Sequence, residues 1–332
     1  MQDFPLRPTR LVAATDANID LAASTLRAGG LVAMPTETVY GLAGLATSDA
    51  AVASIYAAKG RPSFNPLIAH FSSLEDAARE ARLDMRAQRL AEAFWPGPLT
   101  IVAPVAANGS VGLLARAGLD TLGLRVPGHA VARALISAVG APLAAPSANR
   151  SGRVSPTLAQ HVRDDLDGRV DWILDAGPCP LGVESTIVAC LGGALRLLRP
   201  GAIPAEAIEA AAGERLQAAG PEAGAAPMAP GALASHYAPA APVRLEAFEL
   251  RKGEAALDFA GALQDGAAGR LDLSPAGNLA EAAANLFAFL RRLDALRPAG
   301  IAVAPIPETG LGAAINDRLR RAAAPRQYVS TS

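Results

Sequence analysis

The feature that most constrains this chain is how often glycine and proline cut its apolar segments. Gly occurs 31 times and Pro 26 times in 332 residues, and no apolar run reaches the roughly 18 residues that a membrane-crossing helix needs. Runs this short fit strands, or single faces of helices packed on a core. From Leu31 to about Ala212 they alternate with helix-period segments, as in a mixed α/β domain. The spacing predicts strands over Leu31–Met34, Leu67–Phe71, Leu99–Pro104, Thr121–Val126, Pro142–Ala145, Trp172–Leu174, Ser185–Val188 and Arg196–Arg199. The clearest helix runs from Ser48 to Lys59: Ser48 and Asp49 can cap it, Val52, Ile55 and Tyr56 share a face, and Gly60 stops it. It delivers Lys59 and Arg61 at its exit. Further helices fit Asp84–Phe94, Ala130–Val139 and Thr157–Asp165, the last with Thr157 as its cap.

Between about Gly213 and Pro242 periodicity gives way to an Ala/Gly/Pro-rich stretch, the composition of an extended connection. It separates a first domain, 1–212, from a second, 243–332, and two domains also suit the length. The second predicts strands at Val243–Ala247, Leu271–Leu273 and Ile301–Ala304 and helices at Leu279–Leu296 and Leu311–Ala323. In the first of these helices Leu279, Ala283, Leu286, Phe287, Leu290 and Leu293 recur at spacings of three and four and mark a buried stripe.

Composition excludes several functions. A net charge of −1 lacks the basic excess of a protein that lives on a phosphate backbone, and 4% aromatic residues offer little for base stacking. An anionic ligand must therefore be gripped locally. Cys179 and Cys190 are too few for a disulfide framework or a zinc site and are expected as buried, reduced thiols. The N-terminus does not read as a signal peptide, and with no membrane helix the chain is expected in the cytoplasm.

Two loops hold the groups that could grip an anion. KGRPSFNPL places Lys59 and Arg61 after a helix and Asn65 between Pro62 and Pro66: a point charge, a planar fork and a neutral donor. APSANRSGRVSPT offers Ser147, Asn149, Ser151 and Ser155, with Gly152 allowing close backbone approach. Each loop alone is also an ordinary polar turn. The P-loop, the dinucleotide fingerprint and GxSxG are absent. Glu37 and Glu184 suit structural acceptors for backbone amides or partners for a bound ammonium. Of the histidines, His129 and His161 are expected as surface or cap residues, and His70, ending an apolar strand, near a pocket.

PTETVYGL (35–42), KGRPSFNPL (59–67), WPGPLT (95–100), LRVPGH (124–129), APSANRSGRVSPT (145–157), ESTIV (184–188) and LRPGAI (198–203) together resemble the threonylcarbamoyl-AMP synthase family, whose catalytic unit is the YrdC-like domain. SHYAP (235–239) and GLGAAINDRLRRAA (310–323) resemble its two-domain form. The resemblance implies an α/β fold, a twisted open mixed sheet with a concave cationic cavity, then a smaller Rossmann-like domain. It implies threonine binding at Thr38, His70, Arg125, Ser185 and the backbone of Ala145. Nucleotide binding maps to Lys59, Arg61, Asn65, Thr121, Ser147, Asn149, Ser155, Arg199 and Tyr237, with Lys59 and Arg61 as catalytic groups. The expected substrates are ATP, L-threonine and bicarbonate, with Mg2+ carried by ATP rather than held by a protein site. Downstream proteins that transfer the threonylcarbamoyl group to tRNA are the expected partners. The 213–242 linker, through Tyr237, is expected to act as a lid over the site. Two other readings are an RNA-binding module and a carbamoyltransferase with a different acceptor, the second weakened by the absence of a cysteine-rich segment.

Overall fold

Alternation along the strands sorts the core of the first unit into two faces. The computed structural model describes residues 8–62, 64–218, 235–263 and 268–325. It divides into two units, Met1–Arg150 with Pro156–Ala232 and Ser151–Ser155 with Leu233–Ser332. The first unit runs β1 (Arg10–Ala13), α1 (Asp16–Arg27), β2 (Val32–Met34), β3 (Gly41–Leu45), α2 (Asp49–Lys59), β4 (Ile68–His70), α3 (Leu74–Glu80), α4 (Met85–Phe94), β5 (Leu99–Pro104) and β6 (Thr121–Arg125). It continues with α5 (Ala130–Val139), β7 (Leu143–Ala144), α6 (Ala159–Leu166), β8 (Trp172–Asp175), β9 (Thr186–Ala189), β10 (Arg196–Arg199), α7 (Ala205–Ala212) and β11 (Gln217–Ala218). Among the described residues its eleven strands form one mixed sheet, ordered β1-β8-β2-β3-β7-β4-β6-β5-β9-β10-β11. Val32 and Met34 join Ile19, Leu26, Leu135 and Ile136 of α1 and α5 in one cluster. Ala33 turns the other way, into the cluster that holds Val52, Ile55, Leu90 and Val162 of α2, α4 and α6. Both faces of the sheet are thus covered by helices, which is why its inner strands read as continuous apolar runs.

The second unit holds β12 (Val243–Arg244), β13 (Glu254–Asp258), β14 (Arg270–Asp272), α8 (Leu279–Ala295), β15 (Gly300–Val303) and α9 (Leu311–Ala323). Its sheet, ordered β12-β15-β13-β14, is parallel throughout, in the Rossmann-like manner expected. Leu286, Phe287, Leu290 and Leu293 of the predicted α8 stripe are buried. No helix of the described residues is long and apolar enough to cross a membrane.

Local chemistry explains most elements. α2 begins where the Ser48 hydroxyl accepts from Ala51 N and ends at Gly60 in the left-handed region, φ 61°. Four expectations are corrected. Thr157 caps nothing: α6 starts at Ala159 without a side-chain cap, and the Thr157 N–H donates to His161 Nδ1 at 3.3 Å. His161, expected at the surface or in a cap, is buried, whereas His129 does cap α5 through Nδ1. The stretch expected to lose regular structure from Gly213 contributes β11, which pairs in parallel with β10; residues 219–234 lie outside the described residues. β13, the buried inner strand of the second sheet, falls where the sequence predicted no strand.

Gly201 fixes the approach of the chain after β10 to the start of β9. A Cβ there would meet Ser185 C and Thr186 N at 2.4 Å and Glu184 O at 2.5 Å, all of them backbone atoms with little room to yield. Gly201→Ala is expected to cost about 1–3 kcal/mol, read as a lower urea midpoint at unchanged m-value. A wild-type midpoint would contradict this packing.

Candidate functional site

Neighbouring strands bring the first group of polar residues together. The register of β4 on β6 sets His70 directly opposite Arg125, so the two share a face of the sheet. Thr38 and Glu37, in the turn after β2, meet Arg125 from the side. Arg125 Nη2 donates to Glu37 Oε1 at 2.6 Å and to Thr38 Oγ1 at 3.1 Å, while Nε reaches Gly97 O at 3.4 Å. Thr38 Oγ1 lies 2.8 Å from Thr36 Oγ1, whose own proton goes to Val39 O at 2.7 Å. With Thr36 so committed, the Thr38 proton points to Thr36, and what remains at Thr38 is acceptor capacity. Ser185 accepts from Arg199 Nη2 at 3.0 Å and lies 2.8 Å from Thr100 Oγ1. Ala145 donates its N–H to Ile68 O on β4.

A second group gathers at the end of α2. Lys59 Nζ donates to the carbonyls of Ser147 and Asn149, both at 2.5 Å, and so clasps the Ser147–Asn149 loop to the helix. Arg61 Nη2 donates to the Asn65 and Pro66 carbonyls at 3.4 and 3.3 Å, and Tyr56 OH to Asn65 O at 3.0 Å. Asn65 Oδ1 is buried and meets no partner among the described residues.

Burial sets the electrostatics. Lys59 is only 2% exposed, and its ammonium is pushed well below the ordinary lysine value, first by burial and then by Arg61, against a smaller opposing pull from Asp165. Burial and then the Arg125 charge lower His70 to about 3, so it is a neutral imidazole at neutral pH. At Glu37 burial works upward, but Arg125 and the nearby Glu37 and Gly128 amides outweigh it and hold the carboxyl below its usual value. Cys179 and Cys190 are buried free thiols, each pushed up to about 12 by burial.

Five of the expected nucleotide residues thus fall in two hydrogen-bonded sets at the end of α2, Lys59 with Ser147 and Asn149, and Arg61 with Asn65, and Thr38 and His70 stand beside the Arg125 guanidinium. Arg199, expected with the nucleotide group, is bonded to Ser185 of the threonine group. Thr121 stands at the start of β6, half-buried. Ser155 and Tyr237 fall in the second unit, where Tyr237 stacks on Phe287 with centroids 5.5 Å apart and lies under the Arg318 guanidinium at 5.3 Å. The sequence reading missed Thr36, a buried hydroxyl that directs the Thr38 proton, and Thr100, a buried hydroxyl 2.8 Å from Ser185 Oγ. Thr100 did leave a signal, as a polar residue inside an apolar strand. Among the described residues no group of three or more His, Cys, Asp or Glu is placed to hold a metal ion.

The fold defines a class: a mixed α/β sheet covered on both faces, whose inner strands and loops gather buried Lys, Arg, imidazole and hydroxyl groups. Residues 24–201 match the Sua5/YciO/YrdC family model, described as telomere recombination, and 203–324 the model for the threonylcarbamoyl-AMP synthase C-terminal domain. The chain belongs to the threonylcarbamoyl-AMP synthase family. It is 40% identical to the threonylcarbamoyl-AMP synthase of Bacillus subtilis over 94% of both chains, and 41% identical to that of Pyrococcus abyssi over 92% of this chain and 93% of the other. The crystal structure of P. abyssi Sua5 complexed with L-threonine superposes with a TM-score of 0.86 at 37% identity, covering 95% of this chain and 97% of that one.

The neutral His70 ties stability to pH. Its folded pKa is depressed below that of the unfolded chain, so its contribution is whole above about pH 6.5 and is lost as pH falls toward 3. His70→Asn, which cannot take up the proton, is expected to lose less stability across that window in urea titrations. Equal losses in variant and wild type would contradict the assignment.

Proposed function

We propose that this chain is an L-threonylcarbamoyladenylate synthase, a nucleotidyltransferase that converts L-threonine, bicarbonate and ATP into threonylcarbamoyl-AMP, pyrophosphate and water. The observation that carries the reading is the pairing of two differently built groups in one unit: the Arg125 guanidinium, held by the Glu37 carboxylate and the Thr38 hydroxyl, and the Lys59 and Arg61 groups, each held by backbone carbonyls. The first suits an amino-acid carboxylate, because a planar fork matches a planar acceptor. Thr38 has acceptor capacity for the substrate hydroxyl, and neutral His70, Ser185 and the Ala145 backbone complete the threonine end. The second suits a polyphosphate. Asn65, Ser147 and Asn149 join it there, and Thr121, Ser155, Arg199 and Tyr237 are assigned to the nucleotide by their place in the family's motifs.

The threonine amine, once deprotonated, attacks the carbon of bicarbonate-derived CO2. A C–N bond forms and a proton leaves; the oxygen lost from bicarbonate departs as water. A carbamate oxygen then attacks the α-phosphorus of ATP, and the bond to pyrophosphate breaks. No covalent enzyme intermediate is needed, so catalysis rests on placement and on charge stabilisation at the phosphates. Lys59 is suited to this task by its depressed pKa. Two Nζ–H groups are spent on the Ser147 and Asn149 carbonyls, and an arriving phosphate favours the protonated form, which keeps a further N–H for the new anion. Mg2+ enters with ATP and supplies further phosphate neutralisation. The product is a labile mixed anhydride, so the account includes proteins that pass the threonylcarbamoyl group to tRNA in the same compartment, the cytoplasm.

Incubation of the purified chain with ATP, bicarbonate and threonine, followed by mass spectrometry, should yield the threonylcarbamoyl-adenylate mass only when all three are present. Lys59→Ala should lower its rate of formation by about 100-fold with the circular dichroism of the wild type. Absence of the adenylate would overturn the reaction; full turnover by the variant would overturn the role of Lys59.

A further inference from the structure

The carboxylate of Glu37 has a use that its bond to Arg125 does not exhaust. Its Oε1 accepts from Arg125 Nη2 at 2.6 Å, with side-chain exposures of 12% for Glu37 and 5% for Arg125. Its Oε2 is buried and meets no hydrogen-bond donor among the described residues. The surrounding groups do not fill that gap. The Thr38 proton is directed to Thr36, the His70 ring meets the backbone of Ile68 through Nδ1 and that of Leu143, and the Glu37 and Gly128 amides lie near without meeting Oε2 in hydrogen-bond geometry. An ionised carboxylate oxygen left so is costly unless a ligand supplies the donor. Arg125 mirrors the situation: Nη2 and Nε are engaged, whereas Nη1 has no partner among the described residues.

The ion pair therefore keeps one donor nitrogen and one acceptor oxygen in reserve, on groups of opposite charge. That is the complement of a zwitterion. We propose that Glu37 is a substrate-binding residue that recognises the ammonium of the incoming amino acid while Arg125 takes its carboxylate. The proposal rests on the threonine reading of this site and extends it to a residue which that reading leaves out. The role is recognition rather than proton abstraction, because a carboxyl held below its usual value stays ionised. It also explains why a carboxylate stands beside the guanidinium meant for another carboxylate. Alone, Glu37 would compete with the substrate for Arg125; with an ammonium to accept, it becomes half of the site and favours amino acids over other carboxylates.

The test compares L-threonine with its α-hydroxy analogue, 2,3-dihydroxybutyrate, by calorimetry on the full chain. The wild type should bind threonine at least about ten-fold more tightly, the range of a buried charge-assisted contact. In Glu37→Gln, whose melting temperature is checked first, threonine should weaken by a similar factor and the analogue little, so that the preference collapses. Glu37→Asp, which keeps the charge, should restore part of it. A merely structural Glu37 that steadies Arg125 would weaken both ligands alike, since both carry the carboxylate, and that result overturns the proposal. Equal binding of the two ligands by the wild type overturns it as well, even if Glu37→Gln does not fold. Threonine binding with the expected preference but without adenylate formation would overturn the synthase reading and leave the role of Glu37 standing.

Discussion

Lys59 ends its helix against two carbonyls, not against a carboxylate, and the candidate nucleotide site depends on that choice. Burying an ammonium among neutral oxygens costs much of its solvation, and Arg61 adds repulsion, so the amine is held far below its ordinary pKa. A carboxylate in direct contact would offset this cost further than the pull of Asp165 does, and would also repel a phosphate. Carbonyl oxygens hold the side chain in place while leaving its charge to be completed by a ligand. The same contact fastens the Ser147–Asn149 loop to α2, so Ser147 and Asn149, two of the residues assigned to ATP, are held to the helix end by one clasp.

Arg125 solves the opposite problem. A guanidinium stays charged wherever it is buried, so its cost is met at once by Glu37, Thr38 and the Gly97 carbonyl. The helices on both faces of the sheet exclude water from this network, which is what lets a chain of hydroxyls, Thr38 to Thr36 to the Val39 carbonyl, keep one direction. Strand register then does the positioning: His70 stands beside Arg125 because β4 and β6 pair in parallel at that step. Rigid strands and one helix end, rather than long loops, fix where these side chains stand.

Sequence pattern carried far in this fold, and where it stopped has a physical cause. β5, β10, α5 and α9 were legible to the residue, α5 with a side-chain cap at His129 and a glycine stop at Gly140 to bound it, and α9 from its periodicity. β13 was not: Glu-Ala-Ala-Leu reads as helix by propensity, and only its place between two other strands makes it extended. α1 was not read either, although Thr15 caps it and Ile19, Ala22, Ala23 and Leu26 form its buried face. At the candidate site the residue types were legible and their company was not. Lys59 meets carbonyls 88 and 90 positions away, a contact no local pattern contains. The family's motifs named the residues; the fold shows that Thr36 orients the Thr38 hydroxyl, that Thr100 stands against Ser185, and that Glu37 sits against Arg125 with an oxygen to spare.

If the charge on Lys59 is completed by its ligand, nucleotide binding must draw a proton from solution. Calorimetric titration of ATP into the protein across a pH series that ends at the ordinary lysine value of about 10.4, and begins above the range in which the nucleotide itself titrates, follows that proton. Repeating it in buffers of different ionisation enthalpy gives the proton count directly. The account predicts net proton uptake on nucleotide binding within that series, abolished in Lys59→Met. Tight ATP binding with no proton uptake in the wild type would contradict it.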